Sequence, residues 1–410
     1  MSFLNTMGQK ASKGDCCIVV HYSEIGTKGG NRVFFEKKLM ENIRNALREN
    51  ANRVYRRYGR IVCILNCNQG SSNVKQIDKI KQASEIKQIL EKLPGISYFS
   101  FSVKAELDLE KIKKKSLEFL EKEKFVSFKI ETKRSNKGFP LTSFELNREV
   151  GRCLEEKTKK RVDFKNPEFV LHIEIGEKEA FIYGGKCGGI GGLPVGTAGK
   201  VISSLSGGID SPVASFLLMK RGCKVIFVHI HNQTQARGVL TKIEELVEQL
   251  TKMQLNSKLY VVPFEKIQKE IIMNVPSKLR MIVYRRFMMR IINQLAWKEK
   301  ALGVVTGDSV GQVASQTLEN LNCIYDASRL PVLNPLIGTN KEEIVELAKK
   351  IGTYEISIQP YPDCCSFLIA KHPETKGKLE EIKRAEEFIR NPEELIKESI
   401  KNAEVKKFKF

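Results

Sequence analysis

The 10 cysteines include no Cys-x-x-Cys pair, which excludes the usual zinc-ribbon spacing. No apolar run approaches the roughly 18 residues of a membrane span, so no membrane contact is expected. The opening stretch Met1-Ser-Phe-Leu-Asn-Thr-Met-Gly-Gln-Lys10 lacks the apolar core of a secretory leader. A cytoplasmic location is therefore expected, and there cysteines act as thiols, metal ligands or redox groups more often than as a disulfide framework. The adjacent pairs Cys16-Cys17 and Cys364-Cys365 draw attention for that reason.

Acidic residues are also short in supply. Against 69 Lys and Arg stand 48 Asp and Glu, a net charge of +21. A surface of that sign attracts phosphate backbones and points to a polyanionic partner. With 410 residues and 41% apolar content, the chain can bury a sizeable core in two or three domains.

The most informative stretch is Val201-Ile-Ser-Ser-Leu-Ser-Gly-Gly-Ile-Asp-Ser-Pro212. Val201 to Leu205 reads as a short buried strand, and Pro212 to Arg221 has helical spacing closed by Gly222. Ser211 is the expected N-cap, with Pro212 at the first helical position. Gly207 and Gly208 let the backbone approach a ligand, and the helix N-terminus faces an anion. No lysine follows these glycines, so the loop is not a Walker A motif. Ser206-Gly-Gly-Ile-Asp-Ser211 resembles instead the PP-loop of ATP pyrophosphatases, which hold the ATP phosphate chain and release pyrophosphate. That resemblance places Asp210 to support magnesium or the adenylation geometry.

Upstream, a polar tail over 1–14 precedes a strand at 16–22, a Gly-rich turn and a helix over 32–50. A hairpin around Gly59, a helix over 73–93 and a strand over 96–103 complete a βαββαβ unit. Then come a helix at 108–124, a strand over 125–134, a helix opening at Phe144, and paired strands 169–175 and 180–183. Basic residues lie at strand ends and loops, interleaved with Phe128, Phe139 and Phe144, a mixture suited to phosphate contact and base stacking. This region resembles a THUMP domain, an RNA-binding module, through Lys133-Arg134, Phe139-Pro140, Leu146-Asn147-Arg148-Glu149 and Val162-Asp-Phe-Lys-Asn-Pro167. It implies RNA contacts at Lys133, Arg134, Asn147, Arg148 and Lys165, with Lys200 beyond the linker. Gly184 to Gly199 holds too many glycines for a packed element, and reads as a linker running close to RNA or to the domain face, or as a hinge.

From Lys200 onward the alternation is βαβα. Lys224 to His231 is a continuous apolar strand, and helices near 237–252 and 278–300 with strands 259–263 and 303–306 predict a doubly wound parallel sheet. After Lys376 a single charged helix over 379–401 is expected, ending in Lys406-Lys-Phe-Lys-Phe410.

Tyr284-Arg-Arg-Phe-Met-Met-Arg290, Val305 to Asn320, Pro335-Leu-Ile-Gly338, Pro362-Asp-Cys-Cys365 and Gly192-Leu-Pro-Val-Gly196, added to the PP-loop, resemble the tRNA 4-thiouridine synthetases. The resemblance runs from about residue 17 to 376. It implies a PP-loop domain of the adenine nucleotide alpha hydrolase-like class, preceded by ferredoxin-like and THUMP α/β domains. The expected division is a tail over 1–14, a ferredoxin-like domain over 15–72, THUMP over 73–183, a linker over 184–199 and the PP-loop domain over 200–410. ATP contacts are implied at Ser204, Leu205, Ser206, Gly207, Gly208, Asp210, Ser211, His229, Ile230, Arg285, Gly307 and Gln316. The implied activity is sulfuration of the uridine between the acceptor and D arms of tRNA, using ATP and magnesium.

Exchange of oxygen for sulfur needs a soft nucleophile. Cys365 holds the position of the family's catalytic cysteine, with Cys364 beside it. No rhodanese segment follows Lys376, so a separate donor, a cysteine desulfurase or sulfide, is expected, and a part in thiazole synthesis is not. Some short relatives carry an iron–sulfur cluster; here Cys323, Cys364 and Cys365 could supply three thiolates, but the missing Cys-x-x-Cys argues against one. A homodimer is implied by the resemblance alone. Other PP-loop chemistry, or RNA binding by an inactive nucleotide fold, are the rival readings.

Overall fold

A computed structural model describes residues 16–57, 59–66, 73–121, 123–232, 237–360 and 372–410. The chain divides between Pro194 and Val195 into two compact units. The first begins β1 (Cys16–His21), α1 (Arg32–Leu47), β2 (Ala51–Arg57), β3 (Arg60–Leu65), α2 (Asn73–Glu91), β4 (Tyr98–Ala105). Its strands lie β2-β3-β1-β4, the ferredoxin-like arrangement expected from the βαββαβ pattern. β4 runs antiparallel to β1 from Cys16↔Val103 to His21↔Tyr98. Strand pairing thus joins β4 to β1 along the whole length of β1.

Next come α3 (Leu109–Leu120), β5 (Ser127–Arg134), α4 (Ser143–Thr158), β6 (Arg161–Val162), β7 (Phe169–Ile175), β8 (Ala180–Tyr183) and β9 (Cys187–Gly188). Helix α4 starts where a capping box puts it, with Thr142 and Glu145 satisfying each other's backbone N–H groups. Phe128 and Phe139 are buried in the core under α3 and α4, so only Phe144 of the three interleaved phenylalanines is exposed. β8 pairs with both β7 and β4, which fuses the two halves into one nine-stranded sheet.

The glycine-rich stretch departs from an unpacked linker in its first half. β9 lies against the start of β4, Gly189 N–H donates to Ser97 O and Gly191 N–H to Ile96 O. A Cβ on Gly189 would stand 2.3 Å from the Ile96 carbonyl oxygen, so the glycines serve a close approach of backbone to backbone.

A buried ionic cluster crosses this sheet. Glu174 of β7 receives His21 Nε2 at 3.1 Å, Arg60 Nη1 at 2.6 Å and the Tyr183 hydroxyl at 2.6 Å. Burial would raise the Glu174 carboxyl, but His21, Arg60 and Tyr183 outweigh it and hold the group at about 2. A carboxyl depressed in the folded state contributes stability above its unfolded value near 4.5 and loses it as pH falls toward 2. Urea titrations between pH 5 and 2 should show roughly 3 kcal/mol lost through this group. In Glu174→Gln that share of the slope should vanish; equal slopes would refute the assignment.

The second unit contains β10 (Lys200–Ser204), α5 (Asp210–Lys220), β11 (Lys224–His231), α6 (Arg237–Gln254), β12 (Asn256–Pro263), α7 (Glu265–Asn274) and α8 (Arg280–Glu299). It continues with β13 (Val304–Val305), α9 (Leu318–Tyr325), β14 (Val332–Leu333), α10 (Lys341–Ile351), α11 (Tyr354–Ser357), α12 (Leu379–Glu387), α13 (Pro392–Lys401) and β15 (Glu404–Lys409). The sheet order is β14-β13-β10-β11-β12-β15. Its first five strands are parallel, and the winding reverses between β10 and β13, where such sheets bind ligands.

Two local expectations fail here. Ser211 is not the N-cap: α5 begins at Asp210 with Ile209 at the cap, because the Ser211 hydroxyl is engaged by the loop before it. The single helix over 379–401 is two helices, interrupted where Asn391 takes a left-handed conformation before Pro392. The last residues are a strand, β15 pairing antiparallel with β12 from Asn256↔Lys409 to Val261↔Glu404.

Candidate nucleotide site

β10 ends at Ser204, and the chain turns through Leu205 to Ile209 into α5. Hydroxyls shape this turn. Ser206 N–H donates to Ser211 Oγ at 2.9 Å, the Ser206 and Ser211 hydroxyls are 3.0 Å apart, and Gly208 N–H reaches Ser206 Oγ at 3.3 Å. Ser215 Oγ donates to Ser211 O and meets Ser203 Oγ at 2.8 Å, so the hydroxyl chain runs back into the strand. Gly307, after β13, lies against the start of α5; a Cβ there would stand 2.8 Å from Ser211 N. These contacts leave a helix N-terminus open to an anion.

Beside the loop lies a cavity of about 500 Å³. Ser204, Leu205, Ser206, Asp210, Ser211, His229, Ile230, Arg285, Gly307 and Gln316 all line it. Gly207 and Gly208 belong to the loop but not to the cavity wall. The rest of the wall is largely aliphatic, with Met281, Met288, Met289 and Ile292 of α8.

Two of its polar groups lack internal partners. His229 Nδ1 lies 2.9 Å from Leu205 O, and a carbonyl only accepts, so the proton sits on Nδ1 and Nε2 is an acceptor. Burial pushes the imidazole down to about 4, against the smaller opposing effect of the Leu205 carbonyl, so it is neutral near pH 7. Its Nε2 and Gln316 Oε1 are buried without a hydrogen bond. Such orphans call for a ligand that donates.

Asp308 organises the opposite wall. Arg285 Nη2 lies 2.7 Å from both its oxygens, Gln316 Nε2 donates at 2.9 Å and the Tyr325 hydroxyl at 2.6 Å. Arg286 does not share in this site. It ties α8 to Glu386 and Asp326 instead.

The cation that the loop lacks comes from elsewhere in the sequence. Lys341 Nζ stands 2.6 Å from Asp210 Oδ1, while Gln312 Nε2 donates to Oδ2 at 3.0 Å. A capping box of Asn340 and Glu343 fixes the start of α10 and with it Lys341. A lysine at a helix N-terminus opposes the helix dipole. That misplaced charge, three residues after Gly338, was the available sequence signal.

A family model described as "Thiamine biosynthesis protein (ThiI)" matches residues 196–390, a THUMP model 106–184 and a ThiI ferredoxin-like model 17–100. A probable tRNA sulfurtransferase of Caldanaerobacter subterraneus subsp. tengcongensis is 42% identical over 388 residues, covering 92% of this chain and 98% of that protein. This chain belongs to the tRNA sulfurtransferase family. A probable tRNA sulfurtransferase of Lysinibacillus sphaericus is 39% identical, covering 95% of this chain and 94% of its own. Among solved structures, a 4-thiouridine synthetase in complex with RNA and with bound ATP matches at a TM-score of 0.86 and 35% identity, over 96% of this chain and 100% of that one.

Other residues of the sequence with expected roles fall into different settings. Lys133 and Lys165 are exposed, and Arg148 is exposed beside Glu149. Arg134 is committed to the carbonyls of Phe139 and Leu141, so it orders the loop. Asn147 Oδ1 is buried without a partner. Lys200 lies in the second unit, with Nζ 3.3 Å from Glu299 O. Cys323 is buried, its Sγ donates to Gly377 O, and burial pushes the thiol up. Among the described residues no group of three or more His, Cys, Asp or Glu is placed to hold a metal. Cys364 and Cys365 lie outside the described residues.

Proposed function

We propose that this chain adenylates the uridine at position 8 of tRNA at C4 and replaces that oxygen by sulfur, giving 4-thiouridine, AMP and pyrophosphate. One observation carries the reading. The chain before the cysteine-bearing segment reaches the serine-ordered loop, and the chain after it reaches the cavity beside that loop. Ser357 Oγ donates to Gly208 O, and Pro373 and Glu374 line the wall. Asn320 Nδ2 holds Glu374 O at 2.8 Å and Thr317 holds Thr375 O at 2.7 Å.

The α5 N-terminus and Lys341 receive the phosphate chain, while His229, Ile230 and Gln316 receive the base. Uridine O4 attacks the α-phosphorus, the bond to the β-phosphate oxygen breaks, and pyrophosphate leaves with its charge met by the helix N-terminus and Lys341. Magnesium, bound with ATP, would neutralise phosphate charge, and Asp210 is the carboxylate at the loop to hold it, one carboxylate plus phosphates being the usual arrangement. The outer sulfur of a persulfide on Cys365, loaded by a cysteine desulfurase, then attacks C4 and AMP leaves with the former O4 oxygen. The Cys364 thiolate attacks Cys365 Sγ, the S–S bond breaks to release 4-thiouridine, and the resulting Cys364–Cys365 disulfide is reduced by an external thiol. The exposed Lys133, Arg148 and Lys165 contact tRNA phosphates. A homodimer in the cytoplasm completes the proposal.

The test is nucleoside mass analysis of unmodified tRNA incubated with the protein, Mg-ATP and a cysteine desulfurase supplied with cysteine. A new 4-thiouridine peak is expected. Thiolation of a different nucleoside, or ATP consumption without any thionucleoside, would overturn the reading.

A further inference from the structure

Asp308 contacts the cavity, yet its geometry suits neither phosphate binding nor acid–base work. Its carboxylate is 4% exposed and receives three donors at once: Arg285 Nη2, Gln316 Nε2 and the Tyr325 hydroxyl. Arg285 additionally donates to Ser315 O, and the Tyr325 oxygen is engaged by Asn334 Nδ2. Every bond to Asp308 ends on a carboxylate oxygen, which when ionised can only accept. Burial would raise the Asp308 carboxyl, but Arg285, Tyr325 and Thr306 together hold it below the usual range. The carboxylate is therefore charged and acceptor-only near neutral pH.

This fixes the orientation of Gln316. An amide has two ends of opposite polarity, and the one facing an acceptor-only neighbour must be the NH2 group. The carbonyl end, Oε1, is left over, and it is buried with no partner. His229 is fixed the same way from the other side: the Leu205 carbonyl takes the Nδ1 proton and leaves Nε2 as a second orphan acceptor. Both residues line one cavity. At the six position an amino purine brings two N–H donors to such a wall, whereas an oxo purine brings only lone pairs there.

We propose that Asp308 is a positioning residue for base selectivity: by locking the Gln316 amide with its oxygen toward the ligand, it makes the pocket accept six-amino purines and reject six-oxo purines. This rests on reading the cavity as the nucleotide site. An asparagine at 308 can offer its own NH2 to Gln316 Oε1. The amide then turns over, and a donor replaces the acceptor.

The experiment compares kcat/KM for ATP and ITP, which differ at the six position, in tRNA-dependent pyrophosphate release by the full chain. Wild type should favour ATP by about 100-fold, as two unmatched buried acceptors would cost. Asp308→Asn should reduce that ratio at least about 10-fold, partly by improving ITP, with kcat at saturating nucleotide changed less than KM. Tyr325→Phe, which removes a donor without reversing the amide, should keep the ratio. Loss of ATP and ITP activity in parallel would mean a merely structural role and would overturn the inference. If Asp308→Asn does not fold, Gln316→Met decides: the ratio should fall without gain for ITP, and an unchanged ratio overturns the inference. Equilibrium binding of both nucleotides to wild type separates the two levels. Binding of neither would remove the nucleotide reading and this inference with it, whereas tight ATP binding with an ATP:ITP ratio near one would remove the inference alone.

Discussion

Lys341→Met is expected to slow tRNA-dependent pyrophosphate release by about 10²–10³-fold, the usual consequence of removing one preorganised charge from a developing anion. The loop at 206–211 supplies backbone N–H groups but no cation of its own. Lys341 is half exposed, and the ion pair recorded for it is to Asp210, so its loss should cost folding stability no more than about 1 kcal/mol. A large catalytic loss with an almost unchanged melting temperature is therefore the expected signature. Lys341→Arg should restore part of the rate, since the charge returns with altered reach. Pyrophosphate release at the wild-type rate in Lys341→Met would show that the phosphate chain is bound without it.

The second large effect separates the two chemical steps. Cys365→Ser should abolish 4-thiouridine formation while tRNA-dependent pyrophosphate release continues, at least for a first turnover. A hydroxyl carries no transferable sulfur and is a far weaker nucleophile than a thiolate or persulfide at neutral pH. Adenylation draws on the loop, Lys341 and the cavity wall, and the substitution changes none of those residues. Mass analysis of the tRNA nucleosides alongside a pyrophosphate assay reads both steps in one incubation. Full thiolation by Cys365→Ser with each donor would move the nucleophile to another residue.

Elements governed by local pattern were legible before any coordinates. The apolar run 224–231 is a strand buried along most of its length, 169–175 and 180–183 are strands with those bounds, and the strand–loop–helix at 201–220 brings Asp210 and Ser211 to a cavity wall. What stayed hidden depends on partners distant in sequence. Ser211 fits an N-cap by type, but the Ser206 backbone claims its hydroxyl. Lys406-Lys-Phe-Lys-Phe410 alternates like a strand, yet only pairing with β12, almost 150 residues away, makes it one. The convergence of Arg285, Gln316 and Tyr325 on Asp308 likewise unites α8, the loop after β13 and α9. No spacing rule along the chain encodes it.

The continuous nine-stranded sheet has a consequence for folding. β4 is sheltered on its outer side by β9 at its start and β8 at its end, and both strands come from beyond the ferredoxin-like match, which ends at residue 100. A fragment ending near residue 105 would leave that side of β4 bare, a template for pairing with other chains, and would strand Arg60 in a buried position without Glu174. The ferredoxin-like and THUMP segments, separable as family models, should then melt as one cooperative block. During synthesis the first strands would have to wait for residue 188 to emerge before their sheet was closed.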